Sequence, residues 1–168
     1  MKDAAPELAA NLRWAYDEMF GAMDFDDLLL NWLLLLKRSP EVRRRLAATY
    51  QHILVDEYQD TNRLQADIVD AMLGPERNVM VVGDDAQSIY AFRGADFENI
   101  LGFPDRHPEC TVFRLETNYR STPTILALTN ASISHNERQF KKELRSVRST
   151  GELPAEVVVP TPELQASW

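Results

Sequence analysis

The chain has 168 residues, enough to bury a core of its own, and 45% of them are hydrophobic, which is ordinary for a globular protein. Its net charge of −8 gives no overall attraction to nucleic acid, so any nucleic-acid site must be local. The single cysteine, Cys110, excludes an intramolecular disulfide and a Cys-x-x-Cys metal site, and the three histidines lack the spacing of zinc ligands. This composition predicts a protein of the reducing cytoplasm.

The first 50 residues predict three helices. Apolar residues recur with helical spacing from Pro6 to Phe20. A second helix is predicted from Phe25 to Arg38, with Asp24 as its N-cap, and a shorter helix follows to about Thr49. The second helix contains the apolar run LLLNWLLLL, residues 28–36, which is shorter than the roughly 18 residues that a membrane span needs. We therefore expect a buried helix and no membrane partner.

The spacing of apolar residues changes in the middle of the chain. Short apolar runs at His52–Val55, Asn78–Val82 and Cys110–Leu115 predict strands that are buried on both faces. A helix predicted over Arg63–Leu73 joins the first two strands into a β-α-β unit, and another is predicted from Thr122 to Ser134. The sequence therefore predicts an α/β fold, with a parallel sheet flanked by helices.

The first predicted strand runs directly into acidic residues. In ILVDEYQD, residues 53–60, Asp56 and Glu57 follow the apolar run. Ligands of parallel sheets collect beyond the carboxyl ends of the strands, where one carboxylate can hold Mg²⁺ while its neighbour takes a proton from water. A pair of solvated acids at a strand end explains this stretch, taken alone, equally well.

The second predicted strand is followed by an amide and then by aromatic residues. In VMVVGDDAQSIYAFRGA, residues 79–95, Gln87 is placed to reach a phosphate, and Tyr90 and Phe92 alternate with small and basic residues up to Arg93. Such rings suit single-stranded nucleic acid because every base offers a face for stacking. Core packing is the commoner role of an aromatic pair. An amide that senses phosphate next to stacking rings would couple the state of the bound nucleotide to the binding of single-stranded nucleic acid.

The third predicted strand leads into a further motif. In FRLETNYRST, residues 113–122, Arg120 could deliver positive charge to a phosphoryl group in its transition state, and Tyr119 offers a ring to a nucleobase. This motif alone is weak evidence, whereas three strand-end motifs in this order are strong evidence.

Four motifs together resemble the superfamily 1 DNA helicases of the UvrD, Rep and PcrA type: MDFDDLL (23–29), VDEYQDTN (55–62), VVGDDAQSIYAFRGA (81–95) and LETNYRST (115–122). The resemblance implies a partial RecA-like P-loop NTPase fold in a motor that moves 3′ to 5′ along single-stranded DNA during repair or replication, using ATP and Mg²⁺. It implies three segments. Residues 1–22 would be a helix returning from an inserted subdomain, 23–116 the later half of the first motor domain, and 117–168 the start of the second.

The resemblance also implies a role for each motif residue. Asp56 would bind Mg²⁺, and Glu57 would activate the attacking water. Gln87 would sense the γ-phosphate, Arg120 would contact it from the second domain, and Tyr119 would stack on adenine. Three residues would lie along the DNA track: Tyr90, Phe92 and Arg93. The sequence departs from the family pattern at Ala86, Thr117 and Phe92, which stand where an acid, Gln and Trp are common.

A phosphate-binding P-loop is not found in these 168 residues. The motif GxxxxGK[ST] is absent, and none of the four lysines follows a glycine. We therefore expect a central piece of such a helicase that is inactive alone, with an unpaired sheet edge that favours self-association. The alternative is a non-catalytic module that binds single-stranded DNA or regulates a partner. The helicase interpretation is favoured because Asp56, Glu57, Gln87 and Arg120 form a complete hydrolytic set.

Overall fold

The computed structural model of the protein describes residues 23–166. They divide into two compact units, the first ending at Ile100 and the second beginning at Leu101. The predicted helix from Pro6 to Phe20, and with it the predicted segment 1–22, lies outside the described residues.

Three helices of the first unit have bounds close to those predicted: α1 (Phe25–Arg38), α2 (Pro40–Thr49) and α3 (Arg63–Met72). Asp24 is the N-cap of α1, as predicted. Its Oδ1 accepts from the backbone N of Asp27 at 2.9 Å, and the Asp27 carboxylate accepts from the backbone N of Asp24 at 3.0 Å. This reciprocal pair satisfies donors that the first helical turn leaves free, so it fixes where α1 begins.

The core of the first unit lies between α1 and α3. Its buried centre is formed by Leu33, Leu36 and Ile68, and half-buried apolar residues from all three helices pack around it. The predicted buried helix is therefore buried on one face only. Three leucines outside this face, Leu28, Leu30 and Leu35, are exposed.

The first unit contains a two-stranded parallel sheet formed by β1 (Ile53–Val55) and β2 (Val79–Val81). Ile53 lies opposite Val79, and Val55 lies opposite Val81. Helix α3 connects the two strands, which confirms the predicted β-α-β unit. The predicted burial of both faces is wrong, because side chains alternate between the faces of a strand and the middle residues, Leu54 and Met80, are exposed. Each strand is followed by a short 3-10 turn, over Tyr58–Asp60 and Asp85–Gln87 respectively, so both predicted motifs leave the sheet at the same edge.

The boundary between the two units lies within the short helix α4 (Glu98–Leu101), whose last residue begins the second unit. The second unit contains α5 (Phe103–Arg106), β3 (Thr117–Asn118), α6 (Pro123–Ile133), β4 (Arg145–Ser146) and α7 (Pro162–Ala166). Strands β3 and β4 are parallel, with Thr117 opposite Arg145. The predicted helix from Thr122 to Ser134 is confirmed, with these two residues as its caps.

The predicted third strand, Cys110–Leu115, is wrong. Residues 110–115 have no regular secondary structure, and Val112, Phe113 and Leu115 are exposed. A strand needs a neighbour to satisfy its backbone groups, and no strand among residues 23–166 pairs with this run. The short strand that forms instead, β3, begins two residues later, where β4 supplies the partner.

The described residues combine helices with small parallel sheets, as the α/β prediction requires. Between residues 23 and 166, no helix reaches the length and apolar content that crossing a membrane demands.

Candidate functional site at the strand ends

The acidic pair after β1 is exposed at the edge of the sheet. Asp56 Oδ1 accepts a hydrogen bond from the backbone N of Glu57 at 2.9 Å. The backbone of Glu57 is left-handed, with φ 51° and ψ 41°. Residues other than glycine seldom adopt this conformation, and where it is held in place it often marks a functional position. The bend turns the chain from the strand into the 3-10 turn while leaving both carboxylates at the surface.

A buried amide two residues later contacts the Glu57 side chain. Gln59 is 1% exposed, and its Nε2 donates to Glu57 Oε2 at 2.8 Å. Its Oε1 accepts from the backbone N of Asp84 at 3.0 Å. One side chain therefore joins the residues that follow β1 to those that follow β2.

The residues after β2 continue this connection. Asp84 Oδ1 accepts from the backbone N of Ala86 at 3.0 Å, and Asp84 Oδ2 accepts from Gln87 Nε2 at 2.8 Å. We call the four residues Glu57, Gln59, Asp84 and Gln87 the strand-end network. Within it, the predicted catalytic Glu57 and the predicted phosphate sensor Gln87 are joined by three consecutive hydrogen bonds.

The strand-end network depends on the absence of a side chain at Gly83. A Cβ at this position would lie 2.5 Å from Gln59 Oε1 and 2.7 Å from Ile100 Cδ1. Both distances are shorter than real Cβ contacts allow. Glycine therefore leaves the space in which the Gln59 amide reaches Asp84.

The aromatic group after the second motif lies at the surface. Phe92 is 77% exposed, and Tyr90 is also exposed, so neither ring is in the core. The ring centroids are 6.0 Å apart, and Arg93 Cζ lies 5.5 Å from the Tyr90 centroid and 5.4 Å from the Phe92 centroid. Two rings that share one guanidinium give a cationic, aromatic surface of the kind that stacks with bases.

Tyr119 and Arg120 belong to the second unit and follow β3. Both are exposed. Asn118 Oδ1 accepts from the backbone N of Arg120 at 2.9 Å and from that of Ser121 at 2.7 Å, so an asparagine turn sets the direction of the chain here. The Ser146 hydroxyl donates to the carbonyl O of Ser121 at 2.7 Å, which ties the turn to β4.

The structure thus brings together three of the residues singled out in the sequence, Asp56, Glu57 and Gln87, and places Asp84 between Glu57 and Gln87 in the chain of hydrogen bonds. Gln59 was missed. The signal that could have revealed it is an amide inside an acidic motif, next to a tyrosine that proves fully buried.

No group of three or more His, Cys, Asp or Glu side chains is arranged to hold a metal ion within residues 23–166. Proteins usually bind Mg²⁺ through one or two carboxylates, with water and phosphate oxygens supplying the other ligands. The exposed carboxylate of Asp56 fits that requirement.

Comparison with known proteins gives one matching family and a group of relatives. Residues 6–108 match the family described as UvrD/REP helicase N-terminal domain. The chain is 45% identical over 131 residues to the ATP-dependent DNA helicase PcrA of Staphylococcus aureus (strain Mu50 / ATCC 700699), and 44% identical over 131 residues to that of Staphylococcus epidermidis (strain ATCC 12228 / FDA PCI 1200). In both comparisons the match covers 78% of this chain and 18% of the relative. The chain therefore spans less than a fifth of the length of these relatives.

Proposed function

Because the chain belongs to the UvrD/REP helicase family, we propose that it forms part of the ATP-hydrolysing motor of a DNA helicase. The observation that carries this proposal is the strand-end network, which joins an exposed glutamate after β1 to an exposed glutamine after β2. The family supports a RecA-like fold for the complete motor domain, with residues 23–116 in the first motor domain and residues 117–168 in the second.

In the proposed chemistry, Glu57 acts as the general base. Its carboxylate takes a proton from a water molecule while the water oxygen attacks the terminal phosphorus of ATP, and ADP leaves. The hydrogen bond from Gln59 holds the Glu57 carboxylate in one orientation. Asp56 would hold Mg²⁺, which neutralises charge on the phosphate oxygens when it is bound. Gln87 would detect the γ-phosphate, and Arg120 and Tyr119 would contact phosphate and adenine.

The aromatic group supports a site for single-stranded DNA. Tyr90, Phe92 and Arg93 present rings and a positive charge to solvent without occupying the core. Because stacking needs no particular base, this surface suits a motor that moves along any sequence. We propose 3′ to 5′ movement, a role in DNA repair or replication and a cytoplasmic location on the strength of the family resemblance.

We propose that the 168 residues do not hydrolyse ATP on their own, because they contain no P-loop. ATP turnover by the chain, with and without single-stranded DNA, tests this point. Turnover that DNA stimulates and that Glu57→Gln abolishes would contradict it, since phosphates would then be held by another element.

DNA binding provides the second test and also separates the helicase proposal from a chain with no nucleic-acid role. We expect Phe92→Ala to weaken binding to a fluorescent oligo-dT strand by about 1–3 kcal/mol, the usual contribution of one stacked ring. Fluorescence anisotropy measures the change. Phe113→Ala is the matched control because Phe113 is 83% exposed and lies outside the aromatic group. Equal affinities for the two variants would contradict the proposed DNA site.

A further inference from the structure

We infer that Gln59 is a positioning residue that couples the two strand ends, so that a change in charge at Glu57 alters the hydrogen bonding of Gln87. Its catalytic meaning rests on the proposed function, but the coupling itself is a property of the described residues. Gln59 is predicted neither to touch a nucleotide nor to carry a proton.

Both ends of the Gln59 amide form hydrogen bonds, one as a donor and the other as an acceptor. The amide nitrogen donates to Glu57 Oε2 at 2.8 Å, and the amide oxygen accepts from the backbone N of Asp84 at 3.0 Å. The two atoms belong to one planar group. If a movement of Glu57 rotates the Gln59 amide, the amide oxygen that accepts from the backbone N of Asp84 moves as well. Glutamate lacks the donor and leucine lacks both functions, so no other residue of this length can make the same pair of bonds.

Gln59 has little freedom to respond in another way. The residue is 1% exposed, and its backbone carbonyl O accepts from the Ser88 hydroxyl at 3.3 Å, which fixes the main chain from which the side chain extends. Gly83 leaves only the space that the amide fills. A buried amide held from several sides passes on a displacement instead of absorbing it.

The partners of Gln59 also indicate more than a structural role. A glutamine with a purely structural role needs only buried polar groups to satisfy its amide. Gln59 instead donates to the exposed carboxylate of Glu57, which is the group predicted to change its protonation in each catalytic cycle. Its other partner, Asp84, holds the Gln87 amide at 2.8 Å. The arrangement therefore leads from the predicted base to the predicted phosphate sensor.

The test is nuclear magnetic resonance on the full 168-residue chain, because this method reads the coupling without nucleotide, DNA or turnover. The signals to follow are the backbone N–H of Asp84 and the side-chain N–H₂ of Gln87. The perturbation is Glu57→Gln, which removes the charge and keeps the size. It is introduced into the wild-type chain, into Gln59→Leu, and into a matched control, Gln65→Leu, whose amide belongs to the cap of α3.

We expect Glu57→Gln to shift both signals in the wild-type and Gln65→Leu chains and to leave them in place in the Gln59→Leu chain. The backbone N–H signals of Tyr58 and Val82, which donate to Val82 O at 2.9 Å and Val55 O at 2.8 Å, report whether each variant keeps its sheet. Equal shifts with and without Gln59, or no shift in the wild-type chain, would overturn the inference.

A swapped pair keeps the test decisive if Gln59→Leu does not fold. Gln59→Glu alone places two carboxylates against each other, so we expect the Gln87 signal to move. In the double variant Glu57→Gln with Gln59→Glu, the new glutamine can donate to the new glutamate, and we expect the Gln87 signal to return toward its wild-type position. No return would overturn the inference. The proposed function fails separately, if Phe92→Ala leaves DNA binding unchanged or the chain does not bind DNA.

Discussion

At the scale of single residues, the site depends on how tightly the side chains behind it are packed. Glu57 and Gln87 are exposed, but Gln59, which connects them through Asp84, is buried and lies against Gly83. The exposed groups that we propose to act on the nucleotide are thus held by a buried group to which we assign no chemistry. Changes at the buried positions should therefore affect the site as strongly as changes at the exposed ones.

We expect Gly83→Ala to destabilise the chain by about 1–3 kcal/mol, as atoms added against tightly packed side chains usually do. The reason is that the new Cβ would lie 2.5 Å from Gln59 Oε1 and 2.7 Å from Ile100 Cδ1, and both side chains are buried. Urea unfolding measures the loss. Gly74→Ala is the control, because a Cβ there meets Ala47 Cβ at an ordinary 3.4 Å. Equal stability of the two variants would contradict the account of Gly83.

The sequence predicts some of these residues well and others not at all. Asp24 is predicted as an N-cap because capping depends on a few adjacent residues, and the structure confirms it. The left-handed backbone of Glu57 has no such local signal, since glutamate does not favour it. The acidic motif around Gln59 draws attention to its amide, but its partner Asp84 lies 25 positions away along the chain, so the local pattern does not show which residues the amide joins.

At the scale of elements, helix α1 is apolar on several sides, but only the face that packs on the core is expected to contribute strongly to the free energy of unfolding. The run LLLNWLLLL predicts burial, but only one side of the helix faces the core around Leu33, Leu36 and Ile68. Leucines outside this face, including Leu35, are exposed. Neighbouring leucines of one helix should therefore differ strongly in their contribution to stability.

We expect Leu36→Ala to lower the free energy of unfolding by about 2–5 kcal/mol, because Leu36 is 1% exposed and its removal leaves a cavity. Leu35→Ala, in the same helix, should cost much less. Urea denaturation of both variants measures the difference. A Leu35 variant as unstable as the Leu36 variant would show that the face of α1 has been assigned wrongly.

The cap of α1 gives a second prediction at this scale. Asp24→Ala removes the acceptor for the backbone N of Asp27, so we expect it to cost about 1 kcal/mol of unfolding free energy. Asp26→Ala changes the same charge in the same turn without touching the cap and serves as the control. Thermal or urea unfolding measures the stability of both variants. Equal losses of stability in the two variants would contradict the role of the cap.

The failure of the predicted strand Cys110–Leu115 has a physical cause at the same scale. Apolar, β-rich composition is a local property, whereas a strand forms only where a partner satisfies its backbone groups. Among residues 23–166 that run has no strand partner, while Thr117 and Asn118 are paired with β4. The helices were predicted better because their hydrogen bonds are internal.

At the scale of the whole molecule, four motifs with the correct order predict the family, and the comparison confirms it. The motifs contain the residues for which we propose chemistry, but they do not show that a buried amide connects two of them. Motif order is encoded along the chain, and packing between distant segments is not. The family of the protein could therefore be predicted more completely than the arrangement of its candidate site.

Self-association is a prediction for the whole chain. Among the described residues β1 and β2 pair only with each other, so each has a free edge, and Leu54 in the middle of β1 is 66% exposed. Free edges favour pairing with a second copy, and a charge there opposes it. We expect concentration-dependent sedimentation that Leu54→Lys reduces and Leu153→Lys, at another exposed leucine, leaves unchanged. A monomer at every concentration would contradict this prediction.

The most direct test of the central claim is a segment exchange. In the S. aureus relative, the segment that matches this chain over 131 residues would be removed, and the matching segment of this chain would be inserted in its place. We expect the chimera to hydrolyse ATP when single-stranded DNA is added, and Glu57→Gln in the chimera to reduce turnover by about 10²–10⁴-fold, as loss of a general base does. A folded chimera that binds DNA but gives no turnover, or a Glu57→Gln chimera that keeps its turnover, would contradict the assignment of the strand ends as a catalytic site.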